Sequence, residues 1–176
     1  MSLKTTIEKA GQNISKTLKG ALAPQPSDDI LATLHKEHDE VQALLGKLVD
    51  SESAPERRGL LQQIKEALVP HAKAEEKVVY DRVLALKGKK SKVDAHEGYF
   101  EHEAADRMLA NLGKIEKLAS PEFTAAAKVL KELIAHHVGE EERDIWSDVR
   151  ENFSLEQREK MHAEFEAAKK RVRIPN

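Results

Sequence analysis

The pattern of apolar and polar positions predicts helices along most of the chain. A first helix follows the linker APQPSDD, where Ser27 or Asp28 can cap it. Its apolar stripe contains Ile30, Leu31, Leu34, Val41, Leu45 and Leu48. A second helix begins at the capping box Ser53-Ala-Pro-Glu56 and continues to about Leu86. Pro70 lies inside it and predicts a kink immediately before His71, because proline removes a helical hydrogen bond.

Three further helices are predicted beyond the polar turn LKGKKSK. The third runs from about Val93 to Leu118, and Ser120-Pro121 opens a fourth that extends past Ile145. The capping box from Ser154 to Gln157 starts a shorter fifth helix, which ends near Val172. Long amphipathic segments with short connections pack most economically as an up-down-up-down four-helix bundle, so the predicted fold class is all-α.

The chain of 176 residues is predicted to form one compact domain with additions at both ends. Residues 28–150 form the bundle in this prediction, and residues 151–176 form a C-terminal helix and tail. Residues 1–27 form a leader and linker. The leader carries apolar residues at helical spacing with lysines between them, namely Ile7, Ala10, Ile14, Leu18 and Leu22. This pattern indicates an amphipathic helix that docks on the bundle or, alternatively, on a lipid surface.

Composition narrows the classes of function. Lysine and arginine number 29 against 31 aspartates and glutamates, so no excess of positive charge indicates nucleic-acid binding. No stretch approaches the ~20 apolar residues of a membrane span, and the amino terminus lacks a secretory signal, so a cytoplasmic location is expected. The chain has no cysteine, so any metal must be held by histidine and carboxylate. The oligomeric state stays open.

A repeat of histidine and glutamate runs through the two halves of the chain. The segment from His71 to Tyr80 has the same layout as the segment from His137 to Trp146, with a glutamate four residues after each histidine. The helix that precedes each segment carries an inward-facing histidine, which is His38 in the first half and His102 in the second. The chain is therefore interpreted as a duplicated helical hairpin.

Residues four apart lie on the same face of a helix, so both members of each histidine and glutamate pair can point into one interior space. A single histidine in an apolar stripe is usually a satisfied core residue. Four histidines with two glutamates need compensation for buried charge, and cations bound at the centre of the bundle provide it. This donor set suits iron, manganese or zinc, and two glutamates that can bridge favour a pair of ions.

These segments resemble the hemerythrin-like, or HHE cation-binding, family. The matching stretches are EHDEV at 37–41, HAKAEEKVVY at 71–80, EHEAADRML at 101–109 and HVGEEERDIW at 137–146. The resemblance implies a non-haem di-iron centre, two iron ions with an oxo or hydroxo bridge, inside a four-helix bundle over about residues 28–150. The metal ligands that it implies are His38, His71, Glu75, His102, His137 and Glu141.

The resemblance also implies a class of function. The expected ligand is dioxygen or a related small molecule, nitric oxide or peroxide, bound for sensing, scavenging or stress protection. The alternatives are a di-iron enzyme that decomposes peroxide and an iron-responsive interaction module.

One position departs from the family pattern. The oxygen-carrying hemerythrins have a further histidine four residues before the one equivalent to His102, and that position is Gly98 here. His35, Tyr99 and Asp106 are the candidates to replace it, with solvent or substrate as the alternative. A more open iron favours sensing, scavenging or peroxide turnover over reversible oxygen carriage.

Six other side chains are expected outside the metal centre. Glu76 and Glu142 are predicted to be surface or outer partners of lysine and arginine, because they are displaced around the helix from the histidines. Tyr80 and Trp146 share that displaced row and are predicted to pack at the edge of the bundle or against a terminal helix, although a tyrosine there can also donate an electron to iron. His96 and His162 fit neither repeat and are predicted to be exposed.

Overall fold

The computed structural model describes residues 28–174, which are helical and contain no strand. The predicted leader helix lies outside the described residues. Four long helices form the body of the fold: α1 (Ile30–Asp50), α2 (Ala54–Glu75), α4 (Lys89–Lys114) and α5 (Pro121–Arg143). A π-helical turn (Glu76–Tyr80) joins α2 to α3 (Asp81–Leu84), and α6 (Ile145–Asn152) and α7 (Leu155–Lys169) follow α5.

The long helices surround a common interior. Helix α1 packs against α2 and α5, and α4 packs against α5 and α2. Short loops connect α1 to α2 and α4 to α5, and α2 is prolonged by the π turn and α3 before the chain turns into α4, so successive long helices run antiparallel. The predicted all-α bundle is confirmed. Within residues 28–174, no helix has both the length and the apolar composition needed to cross a membrane.

Serine side chains cap three helices where the sequence indicates. Ser53, Ser120 and Ser154 each accept a hydrogen bond from a backbone N–H in the first turn of α2, α5 and α7. The cap of α1 was predicted one or two residues too early, because Asp29 accepts the N–H of Leu31 at 3.1 Å. Asp29 is fully buried, and its carboxylate forms an ion pair with an arginine of α7, so tertiary packing selects this cap.

The bounds of the third predicted helix are shifted by four residues at both ends. Helix α4 begins at Lys89 instead of Val93 and ends at Lys114 instead of Leu118. Lysine favours helix, so the polar segment before Val93 joins the helix instead of forming a longer turn. At the other end, the N–H of Ile115 bonds to the carbonyl of Leu112 at 3.3 Å, and this tighter turn closes the helix.

Two apolar clusters fill the bundle, with the histidines between them. One cluster contains Val41, Leu68 and Ala105 and continues toward the loops after α1 and α4. The other contains Leu34 and Val78 and lies at the opposite end of the bundle. Each inward histidine comes at a point in its helix where the chain passes from one cluster to the other. A polar layer therefore crosses an apolar interior.

The irregular part of the second predicted helix lies beyond Pro70. Helix α2 continues through Pro70, and the hydrogen bonding changes only at the π turn. There the N–H of Asp81 donates to the carbonyl of Glu76, five residues earlier. The hydroxyl of Tyr99 on α4 lies 3.0 Å from the same carbonyl oxygen, so a side chain from a neighbouring helix stabilises the irregular turn.

Helix α7 covers the outside of the bundle beside α1 and α2. The ring of Phe165 is fully buried and meets the ring of His71 edge-on, with 5.7 Å between centroids. His162 is half-buried instead of exposed, and its Nδ1 lies 2.8 Å from the hydroxyl of Thr33 on α1. His96 is exposed as predicted. The C-terminal helix is therefore part of the packing around the histidine layer.

Candidate metal centre

The six predicted ligands lie together in the interior, and none exposes more than 4% of its surface: His38, His71, Glu75, His102, His137 and Glu141. The histidines form two pairs. The rings of His38 and His71 have centroids 5.0 Å apart, and those of His102 and His137 have centroids 4.7 Å apart. In the second pair the two Nε2 atoms are 3.1 Å apart. Each pair contains the two inward histidines of one half of the repeat.

The two glutamates each lie between the histidine pairs. Glu75 Oε2 is 3.4 Å from His71 Nε2 and 3.6 Å from His102 Nε2. Glu141 Oε2 is 3.4 Å from His38 Nε2 and 3.5 Å from His137 Nε2. Each carboxylate thus approaches one imidazole from each pair, which is the arrangement that carboxylates bridging two ions require. Two sets of donor residues share Glu75, and each set can hold a cation. One set combines Glu75 with His38 and His71, and the other combines it with His102 and His137.

A second layer of carboxylates holds the outer nitrogen of every inward histidine. The contacts join His71 Nδ1 to Glu37 at 2.9 Å, His137 Nδ1 to Glu101 at 2.7 Å, His38 Nδ1 to Glu142 at 3.0 Å and His102 Nδ1 to Glu76 at 3.2 Å. A carboxylate on Nδ1 fixes the ring orientation and leaves Nε2 free to face the interior. All four imidazoles are held in this way.

Sequence reasoning missed half of this second layer. Glu37 and Glu101 directly precede His38 and His102, and the repeated dipeptide Glu-His was the available signal. Each glutamate contacts the histidine of the other helix in its hairpin, a contact that spacing along one helix does not reveal. The prediction for Glu76 was half right, since it pairs with a lysine as expected and also holds His102.

The interior contains buried polar atoms that have no hydrogen-bond partner among the described residues. They are His38 Nε2, both carboxylate oxygens of Glu75 and of Glu141, the hydroxyl of Tyr80 and the indole Nε1 of Trp146. Buried polar groups in folded proteins are almost always paired. Imidazole nitrogens and carboxylate oxygens are ligands for divalent and trivalent transition metals. The donor set therefore fits a bound cation group.

Electrostatics in the layer favours a cation as well. Burial lowers the pKa of His38 and of His102, so both imidazoles are neutral near pH 7. Burial opposes the charge on His71, but the nearby glutamates outweigh it and raise the pKa of His71 to about 9. Burial and the negative charge of Glu75 raise the pKa of Glu141 well above its usual value. The two carboxylates repel each other when both are ionised, and a cation between them removes that repulsion.

None of the three candidates for the position of the missing histidine enters the layer. The side chain of His35 is 56% exposed and pairs with Glu142. The hydroxyl of Tyr99 lies within hydrogen-bond distance of the α2 backbone and of Asp81. Asp106 pairs with a lysine of α2, 3.3 Å away. All three side chains are held by other partners.

Tyr80 and Trp146 lie inside the bundle, so the prediction that they pack at its edge was wrong; both belong to the apolar cluster that also contains Met161 and Phe165 of the terminal helix α7. The ring of Tyr80 stacks on His102 at 5.3 Å with 21° between the planes, and it is fully buried. The ring of Trp146 stacks on His38 at 5.8 Å with 14° between the planes. The prediction assumed uninterrupted α-helices, whereas the π turn and the break between α5 and α6 rotate these positions inward.

The chain is similar to known proteins over most of its length. The family model of the hemerythrin HHE cation-binding domain matches residues 29–147. A protein of Nostoc sp. (strain PCC 7120 / SAG 25.82 / UTEX 2576) named DNA nickase is 32% identical over 157 residues. The alignment covers 87% of this chain and 44% of that relative, so this chain spans less than half of the relative's length. No solved structure matches the chain.

Proposed function

This chain belongs to the hemerythrin HHE cation-binding family, and we propose that its bundle holds two iron ions that bind dioxygen, nitric oxide or peroxide. The role that we assign to residues 28–150 is sensing, scavenging or stress protection. The proposal is carried by one observation: Glu75 and Glu141 each lie within 3.6 Å of one histidine from each pair. Carboxylates so placed suit a pair of ions better than a single ion.

A di-iron pair supplies open coordination positions and electrons for small oxidants. The protein's own residues prepare the space. The carboxylates on Nδ1 orient the imidazoles and raise their basicity. The apolar clusters on either side exclude water, which strengthens electrostatic interactions in the layer. The rings of Tyr80 and Trp146 cover one histidine in each pair.

Metal analysis combined with absorption spectroscopy tests the proposal. Protein loaded with ferrous iron and then exposed to air is expected to contain two irons per chain and to absorb visible light. Glu75→Gln and Glu141→Gln are expected to lose iron, because the amide is a poor bridging ligand. Glu132→Gln, an exposed position on α5, is the matched control and is expected to keep both irons. Wild-type protein that stays colourless and metal-free after loading would overturn the proposal.

Small molecules must reach the histidine layer, whether the site only binds them or turns them over. A narrow cleft lined by Glu97, Glu101, Glu140 and other carboxylates also has His137 and Glu141 in its lining. We propose this cleft as the entry for molecules as small as nitric oxide and peroxide. A spectral change on adding either, without repeated turnover, supports binding. Oxygen evolution from peroxide that is much faster than with free iron at equal concentration supports the peroxide-decomposing alternative.

The similarity to the protein named DNA nickase favours a second candidate function, cleavage of one DNA strand. A pair of cations can stabilise both oxygens of a phosphodiester displacement. The net charge of −2 provides no general attraction to DNA, and our expectation of no nucleic-acid partner stays a prediction. Conversion of supercoiled plasmid to the open-circular form tests this candidate, with catalase and a radical scavenger present. Wild-type activity equal to that of Glu75→Gln would reject it.

A further inference from the structure

The hydroxyl of Tyr80 is buried beside the histidine layer and has no hydrogen-bond partner in the part of the chain that the structure describes. Its side chain is fully buried, and no described residue forms a hydrogen bond with the hydroxyl. The ring stacks on His102, and burial, followed by the negative charge of Glu141 and Glu75, raises the pKa of the phenol well above its usual value. Leaving a buried hydroxyl without a hydrogen bond destabilises a folded protein, so retaining one needs a reason.

Gly98 provides the space that Tyr80 occupies. A Cβ atom built on Gly98 would lie 2.7 Å from Cε2, 2.8 Å from Cζ and 2.9 Å from the hydroxyl oxygen of Tyr80. Such distances are too short for carbon, so no other residue fits at position 98 without moving the phenol. Gly98 lies one helical turn before His102 on α4. The phenol therefore fills the space beside His102 into which a side chain at position 98 would project.

The π turn explains how Tyr80 reaches this space. Tyr80 is five residues after Glu75, which would place it on a different face of a regular α-helix. Hydrogen bonds from residue i to i+5 take up one more residue per turn, so Tyr80 comes one turn after Glu75 on nearly the same face. π turns of this kind occur frequently at functional sites.

We propose that Tyr80 is a metal ligand that completes the coordination of the iron held by His102 and His137. This proposal rests on the proposed function. On binding, the O–H bond of Tyr80 breaks, its proton passes to water, and an oxygen lone pair of the phenolate forms the bond to iron. Tyrosine holds iron in the same manner in haem catalases. The equivalent residue in the other half is Trp146, whose N–H donates only, so the two irons become chemically unequal.

Spectroscopy of the oxidised, iron-loaded protein tests this proposal directly. Ferric iron bound to phenolate gives a visible charge-transfer band, and excitation in that band enhances tyrosine ring vibrations in the Raman spectrum. The chain contains two tyrosines, so two variants resolve the source. Tyr80→Phe is expected to lose the band and the ring vibrations. Tyr99→Phe removes the other phenol and its contact with the π turn but keeps the ring that packs on Tyr80, and it is expected to keep both signals. A band that survives in this variant can come only from Tyr80.

A stability measurement separates ligation from packing. Tyr80→Phe keeps the ring and removes the unpaired hydroxyl, so the metal-free variant is expected to be at least as stable as metal-free wild type. The iron-loaded variant is expected to be less stable than iron-loaded wild type. A purely structural role would change both forms in the same direction.

The outcomes distinguish this proposal from the function on which it rests. Wild-type protein with two irons and no phenolate band would overturn the role of Tyr80 and leave the di-iron function standing. A band retained in Tyr80→Phe would also overturn it. Wild-type protein that binds no iron would overturn both.

Discussion

Replacing Gly98 with alanine is expected to destabilise the metal-free protein, although alanine favours helix more than glycine. The new Cβ would lie 2.7–2.9 Å from three atoms of Tyr80, whose ring is buried and stacked on His102. Overpacking of this kind costs about 1–3 kcal/mol, whereas the helix preference gains about 1 kcal/mol. Gly46→Ala on α1 is the matched control, since nothing lies within 4 Å of its added Cβ. Gly98→Ala is therefore expected to be less stable than the control by about 1–3 kcal/mol.

Chemical denaturation followed by circular dichroism measures this difference. The comparison uses metal-free protein, so that iron affinity does not enter. A second background with Tyr80→Ala removes the phenol, and there Gly98→Ala is expected to behave like Gly46→Ala. Gly98→Ala that is as stable as Gly46→Ala in the wild-type background would refute the tight contact between Gly98 and Tyr80. It would also remove the reason for placing the phenol beside His102.

Three further predictions concern the residues around the histidine layer and the effect of removing metal. Arg57→Ala is expected to destabilise the protein by about 2–4 kcal/mol, because the buried guanidinium donates to two backbone carbonyls and a hydroxyl. Arg58→Ala, at an exposed position, is expected to change stability by less than about 0.5 kcal/mol in the same denaturation assay. Glu101→Gln is expected to weaken iron binding about 10–100-fold in a chelator competition, since it loosens His137, while exposed Glu103→Gln leaves the affinity unchanged. Chelation is expected to lower the melting temperature, because ligand at about 100 times its Kd stabilises by about 2.7 kcal/mol; an unchanged transition would argue against coupling of metal to folding.

Helical periodicity was sufficient to predict the fold and the faces of the inward histidines. His71 and His137 share stripes with apolar residues, and the structure buries both. The same periodicity places neighbouring His136 in a row with the polar residues Glu132 and Glu140, and its side chain is 60% exposed. These predictions succeed because a regular helix fixes the direction of each side chain relative to its neighbours.

The predictions failed where a contact from another helix changes local geometry. The turn from Glu76 to Tyr80 departs from α-helical hydrogen bonding, and the Tyr99 hydroxyl that contacts it comes from α4. Periodicity along α2 contains no information about that contact. The same limit applies to Glu37, which is adjacent to His38 in sequence and holds His71 on the next helix.

The two halves of the repeat hold their histidines with equivalent carboxylates, but different residues pack over the histidines in each half. The contact of Glu37 with His71 has its equivalent in Glu101 with His137, at 2.9 and 2.7 Å, so the histidine supports are nearly the same in both halves. The position equivalent to Gly98 in the first half is Leu34, which is fully buried and apolar. One side of the layer is therefore closed by leucine and an indole, and the other by glycine and a phenol. Because the supports are alike, these covering residues, together with Phe165 of α7 on His71, are the expected source of a difference in reactivity if two ions bind.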